Sequence, residues 1–203
     1  MVQWLNIPGI RAAWRAARDA SVIAPHCAVT DIRQCNFADL RARGYRYVIF
    51  DKDNCIALPY SNTLHSLVKD AWAECLGAFG KENVVIVSNS AGSCDDKGFA
   101  EAQSIEQGFG VPVLRHPSSK KPECISDILH HFSITQDDAH RCVVIGDRLL
   151  TDVYMGKRLG GLTIHTQPFT EQGDATTAIV VRRFENWLLR TVAKPLGFPP
   201  DPQ

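Results

Sequence analysis

The chain has 203 residues, 45% of them hydrophobic and 22% charged, with a formal net charge of +0. That is the composition of a globular chain of about one domain, and it excludes a disordered or fibrous protein. There is no global basic field to attract nucleic acid, so an anionic partner must be held by a local patch.

In residues 1–18, Trp4, Leu5, Ile7, Ile10, Trp14 and Ala17 form an apolar stripe flanked by Arg11, Arg15 and Arg18. Such a segment suits a membrane interface or an Arg-rich targeting sequence, and equally a helix docked on its own domain. Residues 1–40 are therefore read as an N-terminal segment, residues 41–193 as the folded domain, and residues 194–203 (KPLGFPPDPQ) as a Pro-rich tail. No apolar run approaches the ~20 residues that span a bilayer. The seven Cys are scattered and form no C-x-x-C pair, which argues against a disulfide framework or a structural zinc site.

From residue 45 onward, short β-branched runs alternate with longer helical patterns. Strands are expected at 45–50 (YRYVIF), 83–87 (NVVIV), 111–114 (VPVL), 142–145 (CVVI) and 162–165 (LTIH). Helices are expected at 63–79, 93–108, 123–132 (with Pro122 in the first turn), 149–159 and 178–192. This alternation predicts a Rossmann-like three-layer α/β/α fold around a parallel sheet of about five strands. Ligands of such sheets bind beyond the carboxyl ends of the strands.

Four strand ends carry chemistry. DKDNC follows the first run, and its Asp51 and Asp53 would repel each other unless a hard cation lay between them. Ser88 and Asn89 follow the second, offering a hydroxyl and backbone N–H groups to a phosphate oxygen. Lys120 and Lys121 precede Pro122 and a helix, where a cation adds to the helix dipole. Asp147 and Asp152, in GDRLLTD, follow the 142–145 run. Each of these alone is also ordinary turn, cap or surface chemistry. In this order they make up a phosphoryl-transfer site.

The succession DxD, S/T, K and GDxxxD, over residues 45–166, resembles the haloacid dehalogenase superfamily of phosphatases. The resemblance implies Asp51 as nucleophile, Asp53 as general acid and base, Ser88 as a phosphoryl ligand, and Lys121, rather than Lys120, as the lysine that stabilises an aspartyl-phosphate. It also implies Mg²⁺ held by Asp51, Asp147 and the Asp53 carbonyl, with Asp152 one layer behind. Cys55 departs from the wider superfamily's Thr or Val, and an accessible thiol there would make the site oxidisable. The intervals 51–88 and 88–121 leave no room for an inserted cap domain, which predicts an open site and a large substrate.

DKDNCIALP, IVSNSAGS, VPVLRHPSSKKPEC and VIGDRLLTDVYMG are similar to the fungal mitochondrial phosphatidylglycerophosphate phosphatase family, in haloacid dehalogenase subfamily IIIA, where DKDNC is usual. That resemblance implies a phospholipid substrate, phosphatidylglycerol as product on the way to cardiolipin, and a peripheral position on the matrix side of the inner mitochondrial membrane, with the N-terminal segment on the membrane surface. Arg115, His116, Lys120 and Arg148 would then rim the site and hold the uncleaved phosphodiester. Two other readings stay open: a capless phosphatase for a nucleic-acid end or a phosphoprotein, and a non-enzymatic membrane scaffold. No nucleic-acid partner is expected, and homo-oligomerisation is left open.

Overall fold

The computed structural model describes residues 19–170. The stripe at 4–18, the helix expected at 178–192 and the tail at 194–203 lie outside the described residues. Five strands form one parallel sheet: β1 (Cys27–Val29), β2 (Tyr47–Phe50), β3 (Val84–Ile86), β4 (Cys142–Gly146) and β5 (Leu162–Thr166), in the order β1-β5-β4-β2-β3. The described helices are α1 (Phe37–Ala42), α2 (Lys69–Phe79), α3 (Ala100–Phe109), α4 (Ile125–Phe132) and α5 (Tyr154–Leu159).

The period of two along each strand builds the layers. Val48 and Phe50 of β2, Val84 and Ile86 of β3, and Val143 and Ile145 of β4 pack into one core with Phe37, Trp72 and Phe79. Ile49, Val85 and Val144 face a second core made with Cys124, Ile128, Met155 and Leu159. Both faces of the sheet are therefore covered, as continuous apolar runs require. Phe50 and Trp72 lie 5.2 Å apart, ring to ring, and Trp72 Nε1–H donates to the Phe109 carbonyl at 3.2 Å.

Three expectations are corrected. The run at 111–114 makes only an isolated bridge, Val113 to Ile86, outside β3. The fifth strand is β1 instead, and with α1, whose Phe37 is fully buried, it belongs to the sheet and its core. The folded unit therefore begins well before residue 41. The third correction is at Pro122, which precedes α4 rather than opening it, since α4 starts at Ile125.

β1 is pinned to β5 through His26. Thr163 N–H donates to His26 Nδ1 at 3.0 Å, and His26 N–H donates to the Thr163 carbonyl at 3.1 Å. Burial first, then Lys157, pulls the His26 ring down to about 4 from 6.5. The folded state thus holds His26 neutral, while the unfolded chain takes up a proton at the higher value. The stability from this pairing is present above pH 6.5 and is lost as pH falls toward 4. Thermal unfolding midpoints should fall across that window, and His26→Asn should flatten the slope; an unchanged slope would refute the assignment.

Candidate active site

The site forms where β2, β3 and β4 end. Asp51 directly follows β2, and its N–H donates to the Ile145 carbonyl of β4 at 2.8 Å, which fixes its backbone. Lys121 is brought in from the segment before α4, and its main-chain N–H donates to Asn89 Oδ1 at 3.1 Å. The Lys121 ammonium is buried between two carboxylates. It pairs with Asp51 Oδ1 and, at 2.7 Å, with Asp152 Oδ1.

Burial alone would lower the Lys121 ammonium, but Asp152 and Asp51 push it above its ordinary range. Burial pushes the Asp51 carboxyl up to about 6, with Asp152 and Asp53 adding to this and Lys121 opposing it. A buried carboxylate that is only partly neutralised is poised for chemistry or for a cation.

Asp152 is placed by an unusually wide turn. Leu149–Val153 is π-helical before α5, and Tyr154 N–H donates back to the Leu149 carbonyl. Such turns recur at functional sites. The turn folds the Asp152 carboxylate back toward the end of β4, where Oδ2 accepts Arg148 N–H at 3.1 Å. A Cβ at position 146 would lie 2.6 Å from that carboxylate, so only Gly146 fits there. Carboxylate oxygens of Asp51, Asp147 and Asp152 all lie within 4.8 Å of one another. Three hard oxygen donors facing one buried ammonium leave net negative charge, and this donor set fits a small divalent cation.

Asp53 stands apart from that cluster. Its Oδ1 accepts the Tyr60 N–H at 3.0 Å and pairs with Lys52 Nζ at 2.8 Å. Lys52 went unremarked in the sequence reading, yet it is fully buried and also donates to the Ser61 carbonyl at 3.0 Å. A lysine between two aspartates reads as a solvated residue. Residues 51–53 lie past the end of β2, so no strand alternation marked Lys52 as buried.

Among the phosphate-binding candidates, Ser88 is buried at the end of β3 with its Oγ 3.2 Å from Ser90 Oγ. His116 is not a rim residue. It is fully buried, with Nε2 2.8 Å from the Ser88 carbonyl and Nδ1 2.6 Å from the Ser119 carbonyl. It clips the Ser88 turn to the segment that carries Lys121. Arg115 is committed elsewhere, to Glu106 at 2.9 Å and the Val113 carbonyl at 2.6 Å. There it caps the outer backbone edge beside α3. Lys120 pairs with Asp95 at the surface, and Arg148 is half-buried with its main-chain N–H on Asp152. Of the four rim residues expected, Arg115 and His116 are thus tied into the scaffold. Cys55 is fully buried and its thiol is pushed well up, by burial first and then by Asp51 and Asp147, so the accessible thiol that oxidation would require is missing.

The sequence model of the family described as mitochondrial PGP phosphatase matches residues 7–169. The chain belongs to that family. Phosphatidylglycerophosphate phosphatase 1, chloroplastic, of Chlamydomonas reinhardtii is 38% identical over 173 residues, 84% of this chain and 62% of that protein. The Arabidopsis thaliana chloroplastic/mitochondrial phosphatidylglycerophosphate phosphatase 1 is 32% identical over 190 residues, 93% of this chain and 53% of that protein. The mitochondrial phosphatidylglycerophosphatase of Saccharomyces cerevisiae is 35% identical over 143 residues, 70% of this chain and 75% of that protein. The chain thus spans between half and two thirds of the plant and algal relatives' length.

Proposed function

We propose that the chain hydrolyses the terminal phosphomonoester of phosphatidylglycerophosphate to give phosphatidylglycerol, the precursor of cardiolipin, through an aspartyl-phosphate at Asp51. The observation that carries this reading is the buried Lys121 ammonium bridging Asp51 and Asp152, with Asp147 beside them. The family and the named activities of its relatives supply the substrate.

A carboxylate oxygen of Asp51 attacks phosphorus in line, and the bond from phosphorus to the glycerol oxygen breaks. Asp53 gives its proton to that leaving oxygen. It then takes a proton from the water that cleaves the aspartyl-phosphate, freeing inorganic phosphate and Asp51. Lys121 neutralises developing charge on the phosphoryl oxygens, and Ser88 donates to them. Mg²⁺, held by Asp51, Asp147 and the Asp53 carbonyl, would neutralise the phosphoryl oxygens and lower the repulsion between nucleophile and substrate. Lys52 and the Tyr60 N–H orient Asp53.

Between β2 and β3, and from β3 to Lys121, the chain holds loops, short 3₁₀ turns and the single helices α2 and α3, which supports an uncapped site and a bulky substrate. No helix among the described residues is long and apolar enough to cross a membrane, which fits approach from the surface. The family's description and the yeast relative's name support a mitochondrial setting, and the matrix side of the inner membrane is part of the same proposal.

Phosphate release from phosphatidylglycerophosphate in vesicles should require Mg²⁺, vanish in EDTA and return when Mg²⁺ is restored. EDTA-resistant activity, or equal turnover of a 5′-phosphorylated oligonucleotide or a phosphopeptide, would overturn the assignment.

A further inference from the structure

Among the described residues, the large hydrophobic side chains that stand exposed are Leu58 at 41%, Tyr60 at 73% and Leu67 at 55%. All three lie in one segment, directly after the nucleophile's strand. Exposed apolar side chains scattered singly need no explanation, but a cluster beside a reacting centre does. Backbone bonding gathers this one: His65 N–H donates to the Ile56 carbonyl at 2.9 Å, which folds the segment back so that its two ends, each two residues from an exposed leucine, meet.

The segment is tied to the chemistry. Tyr60 N–H donates to Asp53 Oδ1, and Lys52 Nζ holds both the Ser61 carbonyl and Asp53. The apolar tip is thus the next layer outward from the group that serves the leaving oxygen. It is held in place, not dangling: His65 stacks on Phe169 at 4.5 Å. Tyr60 adopts φ +62, which turns its exposed side chain at a fixed bend.

We propose that Leu58, Tyr60 and Leu67 form a membrane-docking tip that enters the phospholipid interface and brings Asp51 and Asp53 to head-group depth. The inference rests on the lipid-phosphatase reading above and names how that site reaches its substrate. In phosphatidylglycerophosphate a short glycerol phosphodiester joins the cleaved phosphate to the acyl chains. The reacting carboxylates must therefore come down to the interface while the acyl chains stay in the bilayer. The part of the protein nearest Asp53 must enter first, and it is the part that carries these side chains. Leucine is stabilised in the acyl boundary and tyrosine at the head groups.

The test uses the full chain. Leu58→Ser with Leu67→Ser removes two of the three exposed apolar side chains and leaves Tyr60, whose N–H holds Asp53, unchanged. On vesicles of phosphatidylcholine and phosphatidylglycerol carrying phosphatidylglycerophosphate, KM should rise about tenfold or more, from the lost apolar burial. Turnover of a water-soluble aryl phosphate should stay within about twofold of the parent, as for ordinary surface changes. Separately, the extra fluorescence of Tyr60→Trp, taken by difference from the parent, should be quenched by brominated lipids. An unchanged KM on vesicles, equal losses on both substrates, or an unquenched tryptophan would each overturn the proposal. A lowered unfolding midpoint in the polar variant would instead show the tip covered by the chain itself, and a changed particle mass would show it covered by a second copy; either overturns it. Quenching does not depend on catalysis, so failure of the phosphatase reading would appear as inactivity on both substrates while the quenching arm still decides the docking.

Discussion

Asp51→Asn should lower phosphate release by about 10³-fold or more, because the group that bonds to phosphorus is gone and the other residues cannot replace it. The same variant should fold at least as well as the parent. The folded state raises the Asp51 carboxyl to about 6 from 3.8. Keeping it ionised therefore costs stability above pH 6, and the cost disappears as pH falls below about 4, where folded and unfolded chains are both protonated. In metal-free protein, Asp51→Asn should thus match or exceed the parent's unfolding midpoint at pH 7, with the two converging in acid. Lysine 121 keeps Asp152 as a partner in this variant, so no buried ammonium is orphaned. A midpoint well below the parent's at neutral pH would show that the Asp51–Lys121 pair is a structural requirement rather than a poised reactive group.

Lys121→Met should harm both activity and stability. The Lys121 side chain is 3% exposed, against 10% for Asp51 and 2% for Asp152. Removing it leaves two buried carboxylates facing each other without their cation. Breaking a buried pair from one side costs about 3–5 kcal/mol, which for a domain of this size lowers the unfolding midpoint by roughly 10 °C. Two such carboxyls relieve their repulsion by sharing a proton, so the deficit should shrink at pH 5 relative to pH 8. Adding Asp152→Asn to Lys121→Met should recover part of the stability and none of the activity. Activity itself should fall about 10²-fold or more, as when a charge-stabilising donor is lost from an acyl- or phosphoryl-transfer site. Equal midpoints for parent and Lys121→Met at pH 8 would remove the electrostatic account of the site.

What the sequence made legible follows from what local patterns can encode. The runs at 45–50, 83–87, 142–145 and 162–165 were readable because both faces of their strands are buried, which leaves continuous β-branched stretches. Asp51, Ser88, Asp147 and Asp152 were readable as strand-end groups for the same reason: the turn after a buried strand must point beyond the carboxyl edge. β1 was not, since three residues of an edge strand carry no periodicity and their pairing depends on Leu162–Thr166. The run at 111–114 looked like a strand but follows β3 at the sheet edge, where Glu106 and Arg115 side chains take the outward groups of Val113. Arg115 and His116 were expected on the rim as cations that could hold the uncleaved phosphodiester of the resembled family's substrate. Charge alone carries no side-chain direction, and the structure turns one toward Glu106 and the other into the scaffold. Choosing between adjacent lysines was a matter of direction too: Lys121 turns inward to Asp51 and Lys120 outward to Asp95.

The strand order has a consequence for how the molecule comes together. Cys27 is registered opposite Ile164, and His26 meets Thr163 across 137 positions of chain. Among the described strands, β1 thus has no partner until β5 has been synthesised. Closing so long a loop is slow relative to local steps, so sheet completion should be the late event of folding. Until then the stretch around residues 26–29 remains available to whatever else binds an extended chain, and a protein shortened before β5 would lose the pairing of β1 along with β5.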